Sequence, residues 1–471
     1  MSRERNKGWV PGRKRSDRAR LVAFQTIREV NAEGAYANLV LPAAISRARL
    51  NKLDASFATN LTYGTLRLSG RYDAIIARCS QDRALNEIDA PVLDLLRLGC
   101  HQLVELKTPP HAAINETVTL ARNELGQGTG GFVNAILRRV SERGNWEEIL
   151  RNSSANEEQF LSTWYSHPRW IVQEFAAALH ARNRAEALEA VLAANNEAAK
   201  VALRARDISV AALRERIERA GMEWSEPNLV EAATLLEHGD PGRLWPVQDG
   251  QAGVQDEGSQ LICEVFANLK IDPGTDEKWL DMCAGPGGKT ATLASFAAQR
   301  GVRVFANEPH PHRLDLVADA VRPFADIVAL REGDGREIGA QEPNSYDRVL
   351  VDAPCSGLGS LRRRPEARWR KSPADVTDLV QLQGELLDSA YQAVRPGGIL
   401  LYTTCSPVLA ETKEVVEAFL ARTAGAELGD CTLEANRRAK FPVAAKGRTV
   451  QLWPDLHQAD AMYMARILKT E

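Results

Sequence analysis

The sequence predicts a multidomain protein: an all-α domain first, then a small α/β connecting domain, then a doubly wound α/β domain whose mostly parallel sheet ends in an antiparallel C-terminal strand. Three observations carry this. The chain has 471 residues, more than one hydrophobic core usually organises. Residues 17–140 place apolar side chains at helical spacing and show no alternating strand pattern. From about residue 254, short apolar runs alternate with helical and turn segments, as in a parallel sheet covered on both faces.

Residues 1–16 read as a basic flexible tail. Within residues 1–20, eight basic side chains stand against two acidic ones, a pattern suited to phosphate but shared with any solvated terminus. The helical domain spans 17–145. Leu21, Phe24, Ile27 and Val30 form one apolar stripe, and Val92, Leu95, Leu96 and Leu103 another. Pro42, Pro91, Pro109 and Pro110 fall where helices should begin or break. Residues 146–250 are read as a linker and a small connecting α/β domain. Residues 141–165 are polar, helical signals return at 168–195, and Val201–Ala205 reads as a strand before a helix over 209–220.

The third domain, 251–471, offers five strand-like runs: 279–282, 302–306, 327–330, 348–351 and 399–402. Residues 449–453 and 462–467 read as two antiparallel edge strands joined by a polar loop. Composition excludes several classes. Hydrophobic residues make up 44% and charged residues 26%, ordinary for a globular protein. No apolar run is long enough to span a bilayer, and the N-terminus lacks a secretory core, so a cytoplasmic protein is expected. The seven cysteines are scattered and form no CxxC or Cys/His cluster, so reduced thiols are expected, with neither a disulfide framework nor a metal site.

The chemistry-bearing segments all follow strands. Asp281-Met282-Cys283-Ala284-Gly285-Pro286-Gly287-Gly288-Lys289-Thr290 closes the first strand and opens a helix. Its glycines permit close approach of a ligand to the backbone. The spacing from Gly285 to Lys289 is too short for a phosphate-binding GxxxxGKT loop, so a nucleoside without phosphates fits better. Glu308 ends the second strand, where a carboxylate can accept from ribose hydroxyls, and Asp334, in Gly333-Asp334-Gly335, ends the third, where it can accept from an adenine amino group. Singly each reads as a helix cap; at three successive strand ends, without GxGxxG, they imply S-adenosylmethionine rather than a dinucleotide. The fourth and fifth strands end in Asp352-Ala353-Pro354-Cys355-Ser356-Gly357 and Thr403-Thr404-Cys405-Ser406-Pro407. Cys79, Cys100, Cys263 and Cys431 read as small hydrophobes. Cys355 and Cys405 do not, because they stand in polar loops on the same edge of the sheet.

Residues 254–471 resemble the Fmu/Sun family of RNA cytosine-5 methyltransferases through Val254–Gln260, the segment 281–290, Asp352–Gly357, the arginine-rich run 362–369 and Thr403–Ser406. Residues 17–140 resemble the RNA-binding NusB fold through Pro110–Glu116 and Phe132–Arg139. The resemblance implies a NusB-like domain ahead of a Rossmann-like class I methyltransferase domain. It implies methylation of carbon 5 of a cytosine, most specifically in 16S ribosomal RNA, with RNA as partner and S-adenosyl-L-methionine as cofactor. Cys405 would be the nucleophile and Cys355 would assist release. Asp352 would bind the N3/N4 edge of the base, with Lys289 orienting it. Cys283, Ala284, Gly285, Pro286, Gly287, Gly288, Lys289, Glu308, Asp334 and Asp352 would form the cofactor site, Cys283 as wall rather than reactive thiol. Glu308 stands where the family commonly has Asp. Arg313, Arg362, Arg363, Arg364, Arg368 and Trp369 are expected to contact RNA through phosphate and stacking interactions. His457 and Asp460 belong to a loop that lines the base pocket or forms a hairpin turn. A monomer is expected. Two rival readings are a transfer-RNA methyltransferase and a catalytically silent RNA-binding ribosome or antitermination factor.

Overall fold

The computed structural model describes residues 16–81, 83–271, 274–444 and 447–470; of the basic tail expected over 1–16, all but Ser16 lies outside the described residues. Contacts divide the chain into two units, Met1–His167 and Pro168–Glu471.

The N-terminal unit is helical. Its first helix, Arg18–Glu33, is capped by Asp17, whose carboxylate accepts from the Arg20 N–H. Six further α-helices follow, Ala37–Arg47, Lys52–Arg67, Ser69–Cys79, Ala90–Val104, Pro110–Glu124 and Thr129–Glu142. Both apolar stripes turn inward, so that Ile27 meets Leu61, Tyr72, Leu95, Leu96 and Leu137 in one core. Pro91 and Pro110 occupy first helical turns, where a missing N–H costs nothing. Pro42 instead lies inside Ala37–Arg47, which continues without the bond it cannot donate.

Residues 146–165, polar enough to read as a linker, form helices Trp146–Asn152 and Glu157–Trp164 and fall in this unit. Their asparagines are caps: Asn145 accepts from Glu148 N–H and Asn156 from Gln159 N–H. Trp146 and Leu150 are buried in the same core, and the Trp146 indole donates to the Val140 carbonyl at 3.1 Å.

The C-terminal unit begins with helices Arg169–His180 and Leu188–Ala194. An antiparallel sheet of β1 (Val201–Ala205), β2 (Trp224–Ser225), β3 (Ala233–Leu236) and β4 (Ala252–Val254) follows, in the order β2-β3-β1-β4. Helix Val210–Arg219 packs Leu213 and Ile217 against Leu203 and Leu236.

The larger sheet comprises β5 (Lys278–Asp281), β6 (Arg303–Glu308), β7 (Val328–Glu332), β8 (Tyr346–Asp352), β9 (Val394–Thr404), β10 (Ala426–Leu428), β11 (Val450–Gln451) and β12 (Tyr463–Lys469). Its order is β10-β12-β9-β8-β5-β6-β7, with β11 pairing β12. Strands β5 to β9 are parallel, and β12 runs antiparallel to β9, Tyr463 opposite Thr404. The C-terminal strands are therefore not both edges: β12 is covered on one side by β9 and on the other by β10 and β11. Chain direction across the sheet reverses between β5 and β8, which opens a crevice at their carboxyl ends. Helix Arg169–His180 packs Ile171, Phe175 and Leu179 with Leu358, Leu361, Val408 and Trp453, beneath the loops that leave β8 and β9.

Candidate active site

The carboxyl ends of β5, β6, β7, β8 and β9 collect the strand-end loops singled out in the sequence. The loop after β5 turns through Ala284–Gly287 into helix Gly288–Ala298, with Gly287 at φ 98°. Only glycine adopts that backbone freely. Gly285 approaches β6 so closely that a Cβ there would stand 2.2 Å from Glu308 Oε2. Glu308 is buried, and its carboxylate accepts from Gly285 N–H at 3.2 Å and His310 N–H at 3.1 Å. Asp334 caps the turn after β7 by accepting from Arg336 N–H, and the Arg336 guanidinium on its carboxyl holds it below the usual carboxylate range.

Asn307 joins these loops, and sequence reasoning missed it. Its amide donates to Met282 O at 3.1 Å and to Gly333 O at 3.0 Å, lacing the β5 loop to the β7 loop. Its Oδ1 is buried with no hydrogen-bond partner. The detectable signal was an amide in an otherwise apolar strand, directly before an acidic residue. A glycine cradle closed on a carboxylate, a spare buried acceptor and an acidic turn beyond match the polar edges of a nucleoside, so these residues fit S-adenosylmethionine. Cys283 lines this loop, and burial together with Asp281 pushes its thiol well up, away from reactivity.

The two cysteine loops meet. Cys355 Sγ and Cys405 Sγ are 3.3 Å apart. Beside them, Lys289 Nζ donates to Asp352 Oδ2 at 2.8 Å, and Thr403 Oγ1 donates to Asp352 Oδ1 at 3.2 Å. The Asp352 carboxylate outweighs burial and raises the Lys289 pKa. Within the thiol pair the direction is asymmetric: the hydrogen bond between them lowers the Cys405 pKa and, with burial and Glu411, raises that of Cys355.

A third strand-end loop closes the site. Gly359 N–H donates to the Cys405 carbonyl at 2.9 Å, and Ala461 N–H donates to the Gly359 carbonyl at 2.8 Å. A Cβ at Gly359 would lie 2.3 Å from Ala461 O, so the approach requires glycine. Asp460 is buried and pairs with Arg363. His457 is also buried, in the short helix Pro454–His457, its ring stacked on Phe441.

Not every residue expected at an RNA surface lies there. Arg362 and Arg368 are buried, Arg368 completely, with its guanidinium donating to Asn196 Oδ1 at 2.9 Å. Both are removed from phosphate by burial. Arg363 is committed to Asp460. Arg313 turns back on the cofactor loop, donating to Gly285 O at 2.7 Å and facing Glu308 at 3.5 Å. Arg364 is exposed, and so is Trp369 at 47%. Among the described residues no group of three or more His, Cys, Asp or Glu side chains is placed to hold a metal, and no helix is long and apolar enough to cross a membrane.

Residues 268–468 match the family model for 16S rRNA methyltransferase RsmB/F, and residues 17–142 match the NusB family. A Pseudomonas putida protein named ribosomal RNA small subunit methyltransferase B is 33% identical over 96% of this chain and 98% of its own. The chain belongs to the RsmB/F family. Like the rest of the RsmB/F family, it is an S-adenosylmethionine-dependent RNA methyltransferase. A Mycobacterium tuberculosis relative, named no more closely than as a methyltransferase, is 46% identical over 97% of this chain and 98% of its own. The fold recurs in the crystal structure of PH0851, at TM-score 0.79 and 21% identity over 97% of this chain and all of that one. It recurs in part in NSun6 from Pyrococcus horikoshii with SFG, at TM-score 0.54 and 15% identity over 64% of this chain and 98% of that one.

Proposed function

We propose that this RsmB/F-family enzyme methylates carbon 5 of a cytosine in 16S ribosomal RNA, with Cys405 as nucleophile and Cys355 as the group that assists release. The observation that carries the reading is the 3.3 Å approach of two thiols with opposed pKa shifts. Carbon 5 of cytosine is a weak nucleophile. The Cys405 thiolate adds to carbon 6, and the electrons of the C5=C6 bond become available at carbon 5; this is covalent catalysis. S-adenosylmethionine, when bound, supplies the methyl group that carbon 5 takes. Asp352, fixed by Lys289 and Thr403, holds the N3/N4 edge of the base. Release requires removal of the carbon-5 proton, assisted by Cys355. Its electron pair re-forms C5=C6 and expels the Cys405 sulfur. To reach two thiols at the bottom of a crevice, the cytosine leaves its stack or is already unpaired.

The target assignment rests on what the Pseudomonas putida relative is named for and on the family description. Bisulfite sequencing of ribosomal and transfer RNA from cells with and without the gene tests it. The expected result is loss of one 5-methylcytosine from 16S ribosomal RNA. Loss from transfer RNA alone overturns the target, and no loss anywhere overturns the chemistry. On purified protein, Cys405→Ala is expected to lose both methylation and RNA crosslinking, while Cys355→Ala retains a covalent protein–RNA band on a denaturing gel.

A further inference from the structure

The residues after the two cysteines share one buried carboxylate. Glu411 is fully buried, in a π-helical turn over Ala410–Glu414 where Glu414 N–H reaches back to Leu409 O at 2.9 Å. Such turns are frequent at functional sites. Here the carboxylate is aimed at the thiol loops. Glu411 accepts from Ser356 N–H at 2.6 Å, from Ser356 Oγ at 2.5 Å and from Ser406 Oγ at 2.6 Å. Gln383 Nε2 approaches the same carboxylate at 3.4 Å and donates to Pro354 O at 2.8 Å. The two serine hydroxyls lie 3.2 Å apart, and Ser406 Oγ also accepts from Val408 N–H.

A buried carboxylate is costly unless its lone pairs are filled, and these are filled by groups that immediately follow Cys355 and Cys405. We propose that Glu411 is a positioning residue that bolts the Cys355 loop to the Cys405 loop and so sets the distance on which release of the methylated cytosine depends. Two of its three short bonds fall on Ser356 and one on Ser406. The bond from Gly359 N–H to the Cys405 carbonyl joins the same two loops at a second point, whereas Glu411 grips the residue directly after each cysteine. Glu411 also contributes to keeping the Cys355 thiol protonated. The charged groups facing this cluster include Asp352, Lys289, Asp460 and Arg363 around Cys405, and Glu174 of helix Arg169–His180, which faces both Glu411 and Glu414.

The inference rests on the two-cysteine reading, and its test separates the two. Full-length wild type, Glu411→Gln and Ser356→Ala are incubated with target RNA and S-adenosylmethionine, then divided between methyl transfer and a denaturing gel for the covalent adduct. A melting curve and S-adenosylmethionine binding verify each fold. Glu411→Gln is expected to lower turnover at least tenfold while raising the adduct per methyl transferred, because Cys405 still adds and Cys355 no longer completes release. Ser356→Ala is expected to move both in the same direction by less. Folded, cofactor-binding variants whose adduct-to-turnover ratio equals that of wild type overturn the clamp. So does a folded Glu411→Gln that loses adduct and turnover together, which would place the residue in service of Cys405 alone. If wild type itself gives no 5-methylcytosine, the proposed function fails instead.

Discussion

At the scale of single residues, the opposed thiols give the sharpest expectation. The Cys405 pKa is lowered first by the hydrogen bond from Cys355. Adduct formation by wild type should therefore rise with pH and level off below the ordinary thiol pKa. Removing the donor in Cys355→Ala destabilises the thiolate, so the midpoint of adduct formation should move to higher pH; Cys355→Ser, which keeps a donor, should move it less. Stopped reactions across pH 6–10 measure this, and an unchanged midpoint in the alanine variant would refute the pairing. Gly285 supplies a second expectation. A methyl group there meets the Glu308 carboxylate, which is buried and already holds two N–H groups. Gly285→Ala should weaken S-adenosylmethionine binding about tenfold, or ~1.4 kcal/mol, by calorimetry, with the adduct-forming thiols intact.

Among elements, the arginine-rich loop separates what sequence shows from what it hides. The strand-end loops were legible because each joins a short apolar run to residues with little other use there: clustered glycines, acidic side chains, a cysteine. The loop at 362–370 looked uniformly basic because its partners are distant in sequence; Arg368 bonds to Asn196, and that pairing is invisible until the chain folds. Likewise Glu411 was missed because nothing local distinguishes a clamping carboxylate from an ordinary polar residue. The helices at 146–165 were hidden because their buried Trp146, Leu150, Phe160 and Leu161 stand among a majority of polar residues. The loop accordingly divides by effect. Arg368→Ala should cost about 2–3 kcal/mol of stability through lost charged hydrogen bonds and packing, read as a lower melting temperature. Arg364→Ala and Trp369→Ala, at exposed positions, should leave melting unchanged and weaken RNA binding in a salt-dependent titration.

For the whole molecule, the division at His167 has consequences for fragments. Every residue of the cofactor crevice lies in Pro168–Glu471. A fragment of residues 168–471 should bind S-adenosylmethionine within about threefold of the full chain, a difference below 1 kcal/mol. The helical unit should be soluble and cooperative as residues 16–167. Ending it at 145 removes Trp146 and Leu150 from its core, at about 3–5 kcal/mol for an aromatic of this size, and a broadened or absent melting transition would report it.

The position of β12 carries one further consequence, for how the enzyme is made. That strand sits between β9 and β10, and Ala461 just before it holds the Gly359 bend against Cys405. The cofactor loops are synthesised well before this strand, but a domain generally folds as a unit. The sheet that carries Cys405 is thus incomplete until β12 has left the ribosome. Methyl transfer is therefore expected to require residues 459–469, and a chain ending before Ala459 should lack it.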